Sequence, residues 1–164
     1  MMLYHAYTST PLGVFEITGS ELGIQSVRLS DQEAQKLPAD LPQVLRDAAI
    51  QLKEYFAKER TEFDLKLDWS GAPEFHQAVW DQLMQIPYGR TTSYSAIADK
   101  LGDANKMRAV GQANRNNPIA IIVPCHRVIA KNGNLQGYFY GLDIKRKLLE
   151  LENPMSFATQ GSLF

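Results

Sequence analysis

Between Pro118 and Pro124 the chain carries five apolar residues in a row, Ile119-Ala120-Ile121-Ile122-Val123, and no other stretch constrains the fold as much. The run is far shorter than the ~20 apolar residues of a membrane span, and it has no polar face to turn toward water. It must therefore be covered on both sides, and the expectation is a fully buried strand. Its end delivers Pro124-Cys125-His126-Arg127, so a reactive side chain would stand on a rigid support.

Cys125 is the only cysteine among 164 residues. An intramolecular disulfide and a multi-cysteine zinc site are thereby excluded, and neither a metal nor a cofactor is expected. No stretch has the length of a membrane span, and Met1 to Thr10 lack a basic segment followed by an apolar run. The reading is a cytoplasmic protein with no membrane partner. In that compartment a lone thiol stays reduced, which suits an intracellular nucleophile and equally an inert buried side chain.

The formal net charge of −1 argues at first against a nucleic-acid partner. The charge is unevenly spread, however. Residues 1–70 hold seven Lys/Arg against eleven Asp/Glu, whereas residues 71–164 hold ten against seven. All ten of those cations fall between Tyr88 and Lys147, accompanied by only Asp99, Asp103 and Asp143. Such asymmetry between halves points to a polyanion partner for the second half.

An α+β fold in two parts is expected: residues 1–72 a structural α+β domain, residues 73–164 a mainly helical one, with the boundary at Trp69 to Pro73. In the first part, Val14 to Thr18 and Ile24 to Leu29 read as a hairpin, Val44 to Phe56 as a helix, and Phe63, Leu65, Leu67 and Trp69 as a half-buried strand. In the second, Phe75, Val79, Leu83 and Ile86 mark a helix ended by Pro87 and Gly89. Thr92 or Ser93 caps the next, which runs through Tyr94, Ile97, Ala98 and Leu101 to Gly102. Lys106 to Asn116 form a third, with Met107, Val110 and Ala113 inward. The last two make a helix-turn-helix pattern, whose second helix carries Lys106, Arg108 and Arg115 beside small residues and no acid. Those small residues fit either a groove or a neighbouring helix.

The thiolate is the nucleophilic form of cysteine, and a nearby cation or general base raises its fraction. Here His126 and Arg127 follow Cys125 directly. In extended chain adjacent side chains point to opposite faces, so His126 would act through a turn or one water. From the residues alone a nucleophile and a buried structural thiol stand about level.

The strings PCHRV (Pro124 to Val128), ANRNNP (Ala113 to Pro118), IPYGRTTSY (Ile86 to Tyr94) and GYFYGLDIKRKLLELE (Gly137 to Glu152) together resemble the O6-alkylguanine-DNA alkyltransferase family, in order and spacing, from about Phe75 to Glu152. The first seventy residues resemble that family's ribonuclease-H-like amino-terminal domain, and the second part its winged-helix-like domain. The resemblance implies irreversible, one-use transfer of an alkyl group from guanine O6, and from O4-methylthymine, in double-stranded DNA to Cys125. It implies that His126 is the base acting through water, Glu152 its orienting carboxylate, Asn117 the holder of the turn before the cysteine and a contact of the histidine arrangement, and Tyr94 the proton donor to the leaving base. Arg108 would fill the stack vacated by the flipped base. Ala109, Gly111, Ala113 and Arg115 would lie on the DNA-binding helix, and Tyr138, Tyr140 and Val128 would line the base pocket. Tyr140 stands where several family members have glycine, which implies a narrower pocket. The protein is expected to be a monomer whose tail, residues 153–164, is mobile. Two other classes remain to be separated from this one: a helix-turn-helix regulator with a redox-sensing or merely buried cysteine, and a thiol hydrolase using Cys125, His126 and Glu152.

Overall fold

A computed structural model of the chain describes residues 2–130 and 138–155. The chain divides into two compact units: Met1–Ser70 together with Pro118–Ile122, and Gly71–Asn117 together with the chain from Val123 onward.

The first unit is built on an antiparallel sheet of β1 (Tyr4–Thr10), β2 (Gly13–Ser20) and β3 (Gly23–Ser30), in that order. The sequence reading caught β2 and β3 but missed β1, whose Tyr and Thr residues favour a strand but whose apolar alternation is weak. Its pairing runs from Tyr4 opposite Gly19 to Thr10 opposite Gly13. Helix α1 (Gln43–Phe56) packs on all three strands. Ala6, Phe15, Ile17, Ile24 and Val27 from the sheet meet Leu45, Ala48, Leu52 and Tyr55 from α1, and all are buried.

The strand expected over Phe63 to Trp69 is reduced to a single bridge between Leu67 and Ile24, held by Ile24 N–H to Lys66 O (2.8 Å) and Asp68 N–H to Ile24 O (2.8 Å). Further upstream a side chain replaces the missing ladder. The Gln51 amide donates to Asp64 O (3.1 Å) and accepts from Asp64 N–H (2.9 Å), giving that backbone the partners a neighbouring strand would have supplied.

The apolar run after Pro118 is buried as expected but is not a strand. Only Ile119 bridges β3, with Val27 N–H donating to Pro118 O (2.9 Å) and Ala120 N–H to Val27 O (3.1 Å). The chain then turns twice. Ile122 N–H bonds Ala120 O (2.8 Å) around Ile121 at φ 72°, the rarer and strained form of the γ-turn. Cys125 N–H bonds Val123 O (2.8 Å) around Pro124 at φ −81°, ψ 63°, the common inverse form. A β-branched residue at positive φ is a true outlier. Alternation and hydrophobicity cannot report it, which is why the sequence reads as strand here.

In the second unit α2 (Glu74–Leu83) buries Val79, Trp80 and Leu83, whereas Phe75 is only half-buried. The two-residue strands β4 (Thr92–Ser93) and β5 (Val128–Ile129) pair in parallel, Thr92 opposite Val128. Helix α3 (Tyr94–Lys100) is capped by Ser93, whose hydroxyl accepts from Ala96 N–H at 3.1 Å. Gly102 at φ 84° ends it, with Gly102 N–H to Asp99 O (3.0 Å) and Asp103 N–H to Ala98 O (3.1 Å), a Schellman closure. After a 3-10 turn at Ala104–Lys106, α4 (Met107–Arg115) completes the helix-turn-helix. Val110 and Ala113 face inward as expected, but Met107 is 50% exposed because it begins the helix instead of lying within it. Helix α5 (Leu142–Glu152) closes the unit. Of the expected mobile tail, residues 156–164 lie outside the described residues. Asn153 is tied down, its amide donating to Gly89 O at 3.3 Å. No helix among the described residues is long and apolar enough to cross a membrane.

Candidate active site

The inverse γ-turn at Pro124 leads straight into a 3-10 turn, Cys125–Arg127, that buries three functional side chains in succession. Cys125 is 6% exposed and His126 0%. The 3-10 turn resolves the difficulty of adjacency, since it gives the imidazole its own direction, toward the end of α5. There His126 Nε2 meets Glu152 Oε2 at 2.7 Å. The imidazole's other nitrogen, Nδ1, is buried with no hydrogen-bond partner among the described residues.

Glu152 is the hub. Its carboxylate also accepts from Arg127 Nε (2.8 Å, to Oε1) and Arg127 Nη2 (2.9 Å, to Oε2), a two-pronged contact, while Arg127 Nη1 donates to Ile86 O at 2.6 Å. Burial by itself would raise the pKa of Glu152, but the bonds from His126 and Arg127 outweigh it and hold the carboxyl far below the usual range. Glu152 is therefore an anion at any working pH. Burial drives His126 the other way, below its ordinary 6.5, against the pull of Glu152, so the ring is a neutral base at pH 7.

Arg127, expected as the cation beside the thiol, is thus engaged by Glu152. The cation that acts on Cys125 is Lys145, which the sequence reading did not single out. It lies on α5, is 0% exposed, and is pushed down to about 8 by burial while Cys125 pulls it upward. Lys145, Leu148, Leu149 and Glu152 form the buried face of α5. Two ionisable residues on the apolar stripe of a helix were the available signal. Burial raises the Cys125 thiol, and this outweighs the hydrogen bond from Asn117, the charge of Lys145 and the nearby Tyr138 hydroxyl, each of which lowers it. The thiolate fraction is consequently small, and these three neighbours stabilise the anion as it forms.

Asn117 behaves as a turn holder: its Nδ2 donates to Val123 O at 2.9 Å, and the amide reaches the Cys125 sulfur. Tyr138 is 8% exposed beside the sulfur, and Val128 is buried in β5. The Tyr140 ring lies against Tyr138 with centroids 5.9 Å apart. Tyr94 opens α3 and is raised by burial first and by Cys125 second, so it stays a phenol. Gly111 of α4 faces that ring, where a Cβ would stand 3.8 Å from Tyr94 Cδ1.

The remaining positions on α4 do not converge on the sulfur. Arg108, Ala109 and Arg115 are exposed, as an outer binding face requires, but Ala113 is 0% exposed and its carbonyl accepts from the Trp80 indole at 2.9 Å. Ala113 therefore belongs to the helix packing, as its spacing predicts, and not to the exposed face on which the resemblance would place contacts with DNA. Among the described residues no three His, Cys, Asp or Glu stand close enough to hold a metal ion.

Known proteins share this architecture. Residues 3–69 match the family described as 6-O-methylguanine DNA methyltransferase, ribonuclease-like domain, and residues 74–154 match the DNA binding domain of the same name. A methylated-DNA–protein-cysteine methyltransferase of Methanosarcina acetivorans is 45% identical over 154 residues, covering 92% of this chain and 98% of its own length. The crystal structure of the Mycobacterium tuberculosis O6-methylguanine methyltransferase aligns with a TM-score of 0.81 at 43% identity, covering 93% of this chain and 94% of that one. The Mycobacterium tuberculosis OGT in complex with DNA aligns with a TM-score of 0.81 at 44% identity, covering 92% of each chain. The α+β organisation, with a ribonuclease-like part before a DNA-binding part, is the one read from the sequence.

Proposed function

The chain belongs to the 6-O-methylguanine DNA methyltransferase family, and we propose that it repairs double-stranded DNA by moving the alkyl group of O6-alkylguanine onto Cys125. The observation that carries the assignment to Cys125 is the sequence-adjacent thiol and imidazole in one buried turn, with the imidazole anchored on Glu152 at 2.7 Å. That is a nucleophile, a base and an orienting group in their required order.

The base must leave the stack to reach a buried sulfur, at a cost of a few kcal/mol. Arg108, exposed on α4, fills the space left behind, and Arg115 and Ala109 lie on the face that meets the backbone. In the pocket the Cys125 proton passes through one water to His126 Nδ1, the nitrogen that has no hydrogen-bond partner among the described residues. Glu152 stabilises the imidazolium that results. Sulfur attacks the alkyl carbon, the S–C bond forms as the C–O6 bond breaks, and the electron pair goes into the purine ring. Tyr94 donates to that developing anion, which ends as ordinary guanine once the proton is returned. The products are guanine in DNA and a thioether at Cys125, which no group in the site can cleave, so each chain acts once. A thiol that must stay reduced to act suits the cytoplasm, and the proposal is a protein that works there as a monomer.

The test is stoichiometry. With excess DNA containing O6-methylguanine, the guanine restored should equal the protein added, and a further portion of DNA should gain nothing. Repeated turnover would instead support a thiol hydrolase; affinity for one sequence with no guanine restored would support a regulator.

Tyr140, packed on Tyr138, narrows the pocket toward small adducts. DNA bearing O6-methylguanine should react faster than O6-benzylguanine by roughly tenfold or more, the discrimination a shaped apolar pocket can supply. Equal rates would contradict this role for Tyr140.

A further inference from the structure

Asn114 lies in the ANRNNP string with no role assigned to it, and it is the most deeply buried polar side chain on α4, at 1% exposure. Its Nδ2 donates to Cys125 O at 3.2 Å. The same side chain bonds the Tyr94 hydroxyl, in the sense that favours the phenolate: burial raises Tyr94, and Asn114 pulls it back down. A carbonyl oxygen can only accept, so the amide has one possible orientation, NH2 toward Cys125. The two amide hydrogens then serve the Cys125 carbonyl and the Tyr94 oxygen. Tyr94 is an acceptor from residue 114 and cannot spend its own proton there. Lys145, whose ammonium lies 6.0 Å from the centre of the Tyr94 ring, is likewise a donor. The amide's other end, Oδ1, is buried with no hydrogen-bond partner among the described residues, a cost that an apolar residue at this position would avoid.

We propose that Asn114 is a positioning residue for alkyl transfer: it fixes the Tyr94 hydroxyl as a donor toward the outgoing base and joins that hydroxyl to the backbone of the acceptor cysteine. This rests on the transfer reading above. Among the described residues Cys125 and Lys145 also act on Tyr94, and neither takes over the amide's task, since one is the nucleophile and the other a donor.

The experiment measures single-turnover transfer from duplex DNA containing O6-methylguanine, across DNA concentrations, for the full chain and for Asn114→Leu, Asn114→Asp, Tyr94→Phe and the two double variants. Asn114→Asp preserves shape but offers only acceptors, so it draws the Tyr94 proton to itself. Both Asn114 variants should lower the rate at saturating DNA by roughly tenfold or more, part of what a directed donor supplies, with half-saturation changed less than about twofold. In the Tyr94→Phe background neither should lower it further. A wild-type rate in a folded Asn114 variant overturns the proposal, as does an equal loss with Tyr94 already removed, or a loss confined to DNA affinity. A wild-type protein that restores no guanine refutes the transfer reading itself, whatever the Asn114 variants do.

Discussion

Glu152→Gln should lower both stability and transfer more than any other single change outside Cys125. The substitution keeps the shape but removes the charge that accepts from His126 Nε2 and from two Arg127 nitrogens. Arg127, 7% exposed, is then left with a buried guanidinium and a weak acceptor. Breaking one side of a buried pair typically costs about 3–5 kcal/mol, because the stranded charge keeps its desolvation penalty. Transfer should fall by about a hundredfold or more, since His126 loses the group that stabilises its protonated form. The pH profile identifies the cause. A carboxyl held below its ordinary 4.5 contributes stability that is present above that value and lost as the pH falls below it. His126, held below 6.5, adds to the same acid slope, because the unfolded ring takes up a proton that the folded ring resists. Urea unfolding of the variant between pH 3 and 8 should therefore show a flatter acid limb below about 4.5 and a persisting slope near 6. A variant as stable as wild type at pH 7 would contradict the role given to the carboxylate.

Lys145→Met should separate stability from function. An ammonium that titrates near 8 in the folded chain and at 10.5 when exposed destabilises the folded state at pH 7 by about 3 kcal/mol. The sign is opposite to that of a lysine with a good partner: the penalty is complete below about 8, shrinks as the pH rises, and is gone above 10.5. The methionine variant should thus unfold at higher urea at pH 7, with the advantage fading across that window. The same substitution removes the charge that favours the Cys125 thiolate, so alkylation of the thiol by iodoacetamide should move to higher pH and methyl transfer should slow by about tenfold or more. Loss of stability at neutral pH would show that Lys145 is paired well enough to offset its burial, and the electrostatic account of the thiol would fall with it.

What could be read in the residues, and what could not, follows from the kind of physics involved. Helices α1 to α4 declared themselves through apolar spacing, Ser93 and Gly102, because propensity and capping act over a few residues. The group Cys125, His126 and Glu152 was found through the motif Pro124 to Val128 and the family resemblance, and the structure brings the last two within 2.7 Å. The path of Ile119 to Val123 was misread, since a buried strand and two γ-turns bury the same side chains and differ only in backbone dihedrals. Adjacency in sequence points to Arg127 as the thiol's cation, whereas the charge that acts on the thiol is that of Lys145, twenty positions away on another element. Spacing places Ala113 correctly on the packed face of α4 but gives Asn114 no role, because a polar residue beside that face reads as solvated until a partner such as the Cys125 carbonyl is seen.

The central claim is that Cys125 itself keeps the alkyl group. Duplex DNA carrying isotopically labelled O6-methylguanine, incubated with the protein and followed by peptide mass analysis, tests it directly. One labelled methyl per chain is expected, on the peptide containing Cys125, and none in Cys125→Ser. Label on any other residue, or label released as methanol while the protein stays unmodified, would contradict it.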